Sequence, residues 1–125
     1  MLSKHHRLRR SRDFSQVYRQ GRKAASAHLL LRVWSVPPAA KAGAPNGSAP
    51  RIGIVVSLKV HKRAVVRNRL KRRVRAALRT LLPRLHPAQW IVISLKPEAA
   101  ECEYGEFLRE LEQLFTKLEV FHGHS

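Results

Sequence analysis

At 125 residues the chain has the size of one domain, and its 25 Lys and Arg against 8 Asp and Glu give a formal net charge of +17, more than solubility requires. The single cysteine, Cys102, excludes an intramolecular disulfide and a zinc site built from thiolates, and fits a reducing, cytoplasmic setting. Residues 1–25 hold no apolar run long enough for a signal peptide, and nothing approaches a membrane span, so no membrane role is expected.

In chain order, residues 1–10 read as a basic, flexible lead-in to a single domain covering 1–125. Ser11 reads as an N-cap, Arg12 to Gln20 as a short helix, and Gly21 as its stop. Phe14, Val17 and Tyr18 share one face of that helix. Ala27 to Val36 reads as a strand. Alternation puts His28, Leu30, Arg32 and Trp34 on one side and Leu29, Leu31 and Val33 on the other. Pro37 to Pro50 is rich in Pro, Ala and Gly and reads as a flexible loop. A second strand is expected over Ile52–Leu58. A third is expected over Gln89–Lys96, with Ile91, Ile93 and Leu95 opposing Trp90, Val92 and Ser94. A final helix over Tyr104–Glu119 carries an apolar face of Phe107, Leu108, Leu111, Leu114, Phe115 and Leu118.

Between the second and third strands lies a long basic helix, from about Arg63 to Leu82, stopped by Pro83. With Leu70 at zero and 100° per residue, Val66, Val74, Ala77 and Leu81 fall within about 40° of it. Asn68, Arg72, Arg75 and Arg79 fall opposite. Arg69 and Arg73 line one flank, Arg67 and Lys71 the other. No acid occurs between Phe14 and Pro97, where eighteen Lys and Arg fall, so these cations have no intrahelical partners. A face of one sign repels itself. Phosphates are counter-charges of matching density, and neutralising them releases condensed counterions. The expected partner is a nucleic acid.

Arg51-Ile-Gly53, Val56-Ser57-Leu-Lys59 and Arg67-Asn68-Arg69-Leu-Lys71-Arg72, taken together, resemble the signature of the bacterial ribonuclease P protein family. The upstream run Leu8-Arg9-Arg10-Ser-Arg-Asp13-Phe14-Ser-Gln-Val17-Tyr18 extends the likeness, which covers about residues 7–118. The resemblance implies an α+β fold: a two-layer α/β sandwich with a central mixed sheet of about four strands, three helices and a left-handed βαβ crossover. It also implies a function. The protein would bind a catalytic RNA subunit and the single-stranded 5′ leader of precursor tRNA, and so assist endonucleolytic 5′ maturation. The RNA would carry the chemistry. Mg2+ would be held mainly by RNA, with none intrinsic to the protein, and the protein would be a monomer in a 1:1 complex.

By the same resemblance, RNA-subunit contact falls to Lys62, Arg63, Arg67, Asn68, Arg69, Lys71, Arg72 and Arg75. Leader contact falls to Phe14, Tyr18, Arg32, Ser57 and Lys59. The chemistry of these residues suits the roles. Bases stack on aromatic rings without regard to sequence, at about 1–3 kcal/mol each, and a leader varies between precursors. Phe14, and less so Tyr18, also reads as a core residue. Asn68 serves either RNA or the start of its own helix. The sequence departs from the family in three places. Leu58 stands where the first of two lysines is usual, Arg75-Ala76 where an acid is frequent, and the 37–50 loop is long.

Two other functions are weaker. A self-sufficient nuclease needs clustered carboxylates for its metals. Here the acids concentrate in the last quarter of the chain and the seven histidines are scattered. No catalytic or metal-ligating residue is therefore expected. A structural RNA-binding protein shares the charge but not the Phe14/Tyr18 helix ahead of the basic one. A helix-turn-helix DNA binder does not place strands on both sides of its basic helix.

Overall fold

The computed structural model describes residues 7, 8, 10–36 and 50–121. The expected 37–50 loop lies outside these residues except for Pro50, as does most of the 1–10 lead-in. Among the described residues no helix is long and apolar enough to cross a membrane.

Helix α1 spans Ser11–Gln20. Ser11 is its first residue rather than its cap. Arg10 holds the cap position in extended conformation, and no side chain bonds the free N–H groups there. Asp13 in the first turn offsets the helix dipole. Gly21 ends the helix as expected, but for want of space rather than for backbone freedom: a Cβ there would lie 2.5 Å from the Val17 carbonyl oxygen.

Strand β1, Arg22–Ala25, pairs antiparallel with β2, Leu29–Ser35. Sequence reasoning missed β1, because Arg-Lys-Ala-Ala lacks the branched and aromatic residues that mark strands. Its order comes from β2 alongside. Strand β3, Arg51–Val55, leads through helix α2, Ala64–Leu81, into β4, Gln89–Leu95; helix α3, Tyr104–Lys117, follows. The sheet order is β1-β2-β4-β3, with β4 antiparallel to β2 and parallel to β3. The result is the expected α+β fold of a four-stranded mixed sheet with, among the described residues, three helices. Arg7 and Leu8 extend it, pairing with Ile52 along the outer edge of β3.

The sheet has two unlike faces. On one, Leu29, Leu31, Val33, Ile52, Ile91 and Ile93 pack against Leu70, Val74, Ala77, Leu78 and Leu81 of α2 and against Phe107, Leu111, Leu114 and Phe115 of α3. Each fully buried apolar side chain contributes about 1.5–3 kcal/mol. Leu78, outside the expected stripe, joins this core, and Val66 lies at its margin. The other face is only partly covered. There Val17 of α1 meets Leu8 and Val92, with Phe14, Trp34, Val55 and Trp90 half-buried around them. Gly53 permits this contact. Any Cβ at position 53 would fall 2.4 Å from the Phe14 ring.

His28 breaks the expected alternation. It precedes β2, in a three-residue link between β1 and β2. Instead of joining Arg32 and Trp34, its Nδ1 lies 2.5 Å from Oε2 of Glu110 on α3. Glu110 is only 5% exposed, yet it is fully occupied. It accepts from the Ser26 hydroxyl and from the His28 backbone N–H at 3.0 Å. Burial pushes its carboxyl up. The hydrogen bonds from the His28 ring, the Ser26 hydroxyl and the His28 backbone N–H, with the charge of the imidazole, outweigh that push and hold it below its ordinary value of 4.5.

Helix α3 begins with a reciprocal capping box between Glu103 and Glu106. It ends earlier than the expected Glu119, in a left-handed turn. Glu119 has φ 57°, its N–H bonds Thr116, and the Val120 N–H returns to Phe115 at 2.9 Å. This is the Schellman pattern with glutamate where glycine is usual.

Three outcomes follow from these contacts. Gly53→Ala should cost about 1–3 kcal/mol in urea unfolding, by overpacking against Phe14. Combined with Phe14→Ala, it should cost less than the sum of the two. Because Glu110 titrates lower in the folded state, its contribution is complete above pH 4.5 and is lost as pH falls through the folded value. Thermal melts at descending pH should therefore show a steeper loss for the native chain than for Glu110→Gln. Glu119→Gly relieves the left-handed residue and removes a negative charge from a helix C-terminus. It should raise stability by about 0.5–1 kcal/mol.

Candidate nucleic-acid interface

Two surfaces present groups suited to nucleic acid, and the sheet separates them. The first is the outer side of α2. Its apolar stripe is spent on the core, which leaves Arg63, Asn68, Arg69, Arg72 and Arg79 exposed and Lys71 and Arg75 half-buried. Its first turn carries no acid, and no side chain caps its N-terminus. The positive end of the helix dipole therefore adds to the side-chain cations.

Not every cation on α2 is equally free. Arg67 donates from Nη1 to the His61 carbonyl at 3.1 Å and to the Lys62 carbonyl at 2.7 Å. It ties the incoming loop to the helix, and its other guanidinium nitrogens remain for an outside partner. Arg63, at the cap position, donates its backbone N–H to Nδ1 of His61 at 3.1 Å. Arg73 donates to the Cys102 carbonyl at 2.7 Å and lies 3.7 Å from Glu103. It belongs to the junction with α3. Asn68, which sequence reasoning could assign to the helix start, is exposed, while Arg67 makes the local contacts.

The second surface is the open sheet face beside α1. Strand pairing sets Lys23 beside Arg32, Arg32 beside Val92 and Val92 beside Gly53, with the Phe14 ring against Gly53. Tyr18, one turn along α1, is 44% exposed. The Arg32 guanidinium carbon stands 4.7 Å from its ring centroid. The cation thus covers the aromatic ring and is held on the α1 face of an inner strand. In the next row Trp34 faces Trp90, with ring centroids 5.2 Å apart in an edge-to-face arrangement, and Arg51 pairs with Trp90.

Phe14, Tyr18 and Arg32 are therefore brought together. Ser57 and Lys59 are not part of β3, which ends at Val55, short of the expected Leu58. They stand exposed in a tight turn, where the Val60 N–H bonds the Ser57 carbonyl at 3.0 Å and the Ser57 hydroxyl accepts from the Lys59 N–H at 3.3 Å. Leu58, at the apex of that turn, is 66% exposed. Sequence reasoning missed three residues on this face. Lys23 sits on the unforeseen strand β1, while Arg51 and Trp90 gain their positions only from strand register. The alternation around Arg32 did give Trp34.

The family model described as Ribonuclease P matches residues 2–119. A ribonuclease P protein component from Cyanothece sp. is 49% identical over 131 residues, covering 99% of this chain and 100% of that protein. The counterpart from Picosynechococcus sp. is 46% identical over 124 residues, covering 98% of each. Among solved structures, a Staphylococcus aureus RNase P protein mutant with defective mRNA degradation activity superposes with a TM-score of 0.79 at 23% identity, covering 94% of this chain and 92% of that one. The RNase P protein from Thermotoga maritima gives a TM-score of 0.70 at 22% identity, covering 86% and 93%. Those structures share the fold; the relatives and the family model fix the kinship. With basic helix, aromatic helix and mixed sheet all in place over nearly its whole length, the chain belongs to the ribonuclease P protein family.

Proposed function

We propose that the chain is the protein component of ribonuclease P, the endoribonuclease that matures tRNA 5′ ends, and that it binds two RNAs at once. Helix α2 and the turn that enters it dock on the catalytic RNA subunit through Lys62, Arg63, Arg67, Asn68, Arg69, Lys71, Arg72 and Arg75. The α1 side of the sheet takes the single-stranded leader of precursor tRNA. Phe14 and Tyr18 supply stacking surface, Arg32 a phosphate contact, and Ser57 and Lys59 continue the track beyond β3. The observation that carries this reading is the pair of separate surfaces: an acid-free cationic helix, and an exposed tyrosine bearing an arginine on the far side of the same sheet.

The division of labour follows from charge. The protein supplies cations and stacking surface, while the RNA supplies the reacting groups and holds Mg2+ with its phosphates. A cut made that way requires no protein carboxylate. One protein binds one RNA subunit, in the cytoplasm.

An assay of precursor tRNA with protein alone, RNA alone and both together tests the division. Protein alone should not cut, and it should lower the Mg2+ or salt requirement of the RNA. Metal-dependent cleavage by RNA-free protein would refute it. With about six phosphates neutralised, log K against log salt should slope near −4 to −5, and Arg69→Ala or Arg72→Ala should reduce the slope by roughly one each. In the assembled enzyme, Tyr18→Ala should weaken precursor binding by about 1–3 kcal/mol and leave mature tRNA binding unchanged. Equal loss for both tRNAs in a folded Tyr18 variant would place the ring outside the leader track.

A further inference from the structure

We infer that His28, Cys102 and Glu106 form a binding site for a borderline-soft divalent cation of the Zn2+ type, which clips the β1–β2 link to the start of α3. A ring nitrogen of His28, Sγ of Cys102 and a carboxylate oxygen of Glu106 all lie within 4.8 Å of one another. Tetrahedral Zn2+, with bonds of about 2.0–2.3 Å, holds its ligand atoms roughly 3.3–3.7 Å apart. Binding the ion must close at most about 1.1–1.5 Å of separation. The site lies on the α3 side of the sheet and does not rest on the RNA-binding reading.

The surroundings are those of a metal ligand set. Metal-bound histidines commonly donate their second ring N–H to a carboxylate, which fixes the tautomer and aims the first nitrogen. Glu110 occupies that position. It holds His28 Nδ1 at 2.5 Å and is itself held by the Ser26 hydroxyl and the His28 N–H. Nε2 is the nitrogen this leaves for the ion. Glu106 is arranged in the same way: its Oε1 accepts the Glu103 N–H at 3.0 Å in the capping box, and its other oxygen remains. Arg73 anchors the Cys102 carbonyl at 2.7 Å. Glu106 and Glu110 stand one turn apart on α3, the spacing that brings side chains to one side of a helix, and Cys102 lies just before its N-cap.

One thiolate, one imidazole and one carboxylate make a mixed, borderline set. It suits Zn2+ or Co2+ and not Mg2+, which prefers oxygen ligands throughout. Three protein ligands leave a fourth position for water. Binding forms the metal–sulfur bond as the thiol proton passes to solvent. The expectation of no metal ligand came from the scattered histidines, the acids confined to the last quarter of the chain and the single cysteine. A site that needs only one cysteine is invisible to that reading.

Chelator-treated, RNA-free protein titrated with Co2+ tests the site. Near one equivalent, a thiolate-to-cobalt charge-transfer band and the intense visible bands of tetrahedral Co2+ should appear, and Zn2+ should bleach them. With one cysteine in the chain, that band reports on Cys102 alone. Histidines near the two ends of the sequence give no such signal. Zn2+ should raise the Tm of the native chain and leave that of Cys102→Ser unmoved. Glu110→Gln should weaken Co2+ binding by about 10–100-fold. Absence of the charge-transfer band in the native chain at excess Co2+ would overturn the proposal, whatever the variants do. So would a band that persists unchanged in both His28→Gln and Glu106→Gln.

Discussion

Helix α2 must be held to the protein by something other than charge. Its cations have no acid within reach along the helix, and they repel one another. What fastens it is one apolar stripe, Leu70, Val74, Ala77, Leu78 and Leu81, laid between the sheet and α3. The few polar ties sit at its edges, where Arg67 grips the incoming loop and Arg73 grips the Cys102 carbonyl. The hydrogen bonds of both end on backbone carbonyls, which keep their partial charge at any pH, and Arg73 also lies 3.7 Å from the Glu103 carboxylate. The helix is thus fixed on one side and left cationic on the other, a surface that a polyanion would neutralise.

The sheet turns this fixed helix into a two-sided device. Strand β4 is buried on both faces, with Ile91 and Ile93 toward α2 and α3 and Val92 toward α1. Its position sets the spacing between the two surfaces. On the α1 side the cover is thin by construction. The Phe14 ring closes over Gly53, and the rest of the face stays open around Trp34, Trp90, Arg32 and Arg51. Glu110 acts at a third place, holding the β1–β2 link from below so that β1 can present Lys23 beside Arg32.

Most of the framework was legible in the sequence, because its elements are strongly periodic. The stripe of α2, the alternation in β4 and the apolar face of α3 each follow from period alone. The failures have local causes. Strand β1 has no intrinsic strand character and exists because β2 offers it a ladder. The Schellman end of α3 uses Glu119, so no glycine announced it. His28 lay one residue outside β2, where alternation no longer governs. In the interface, Tyr18 and Arg32 could be read from spacing and resemblance. Their mutual stacking could not, since it depends on how α1 crosses β2. Nor could the use of Arg67 for the loop, because one guanidinium serves backbone and solvent equally well in sequence terms.

Both tryptophans of the chain, Trp34 and Trp90, stand on the α1 side of the sheet with their rings 5.2 Å apart at 69°. The intrinsic fluorescence of the protein therefore originates at one spot, half open to solvent, and the two indoles are close enough to couple excitonically. Any strand that settles across this side changes the emission and the near-ultraviolet dichroism. A polymer gripping α2 alone leaves both almost untouched. The molecule carries its own label, which tells occupancy of one side of the sheet from occupancy of the other without a dye.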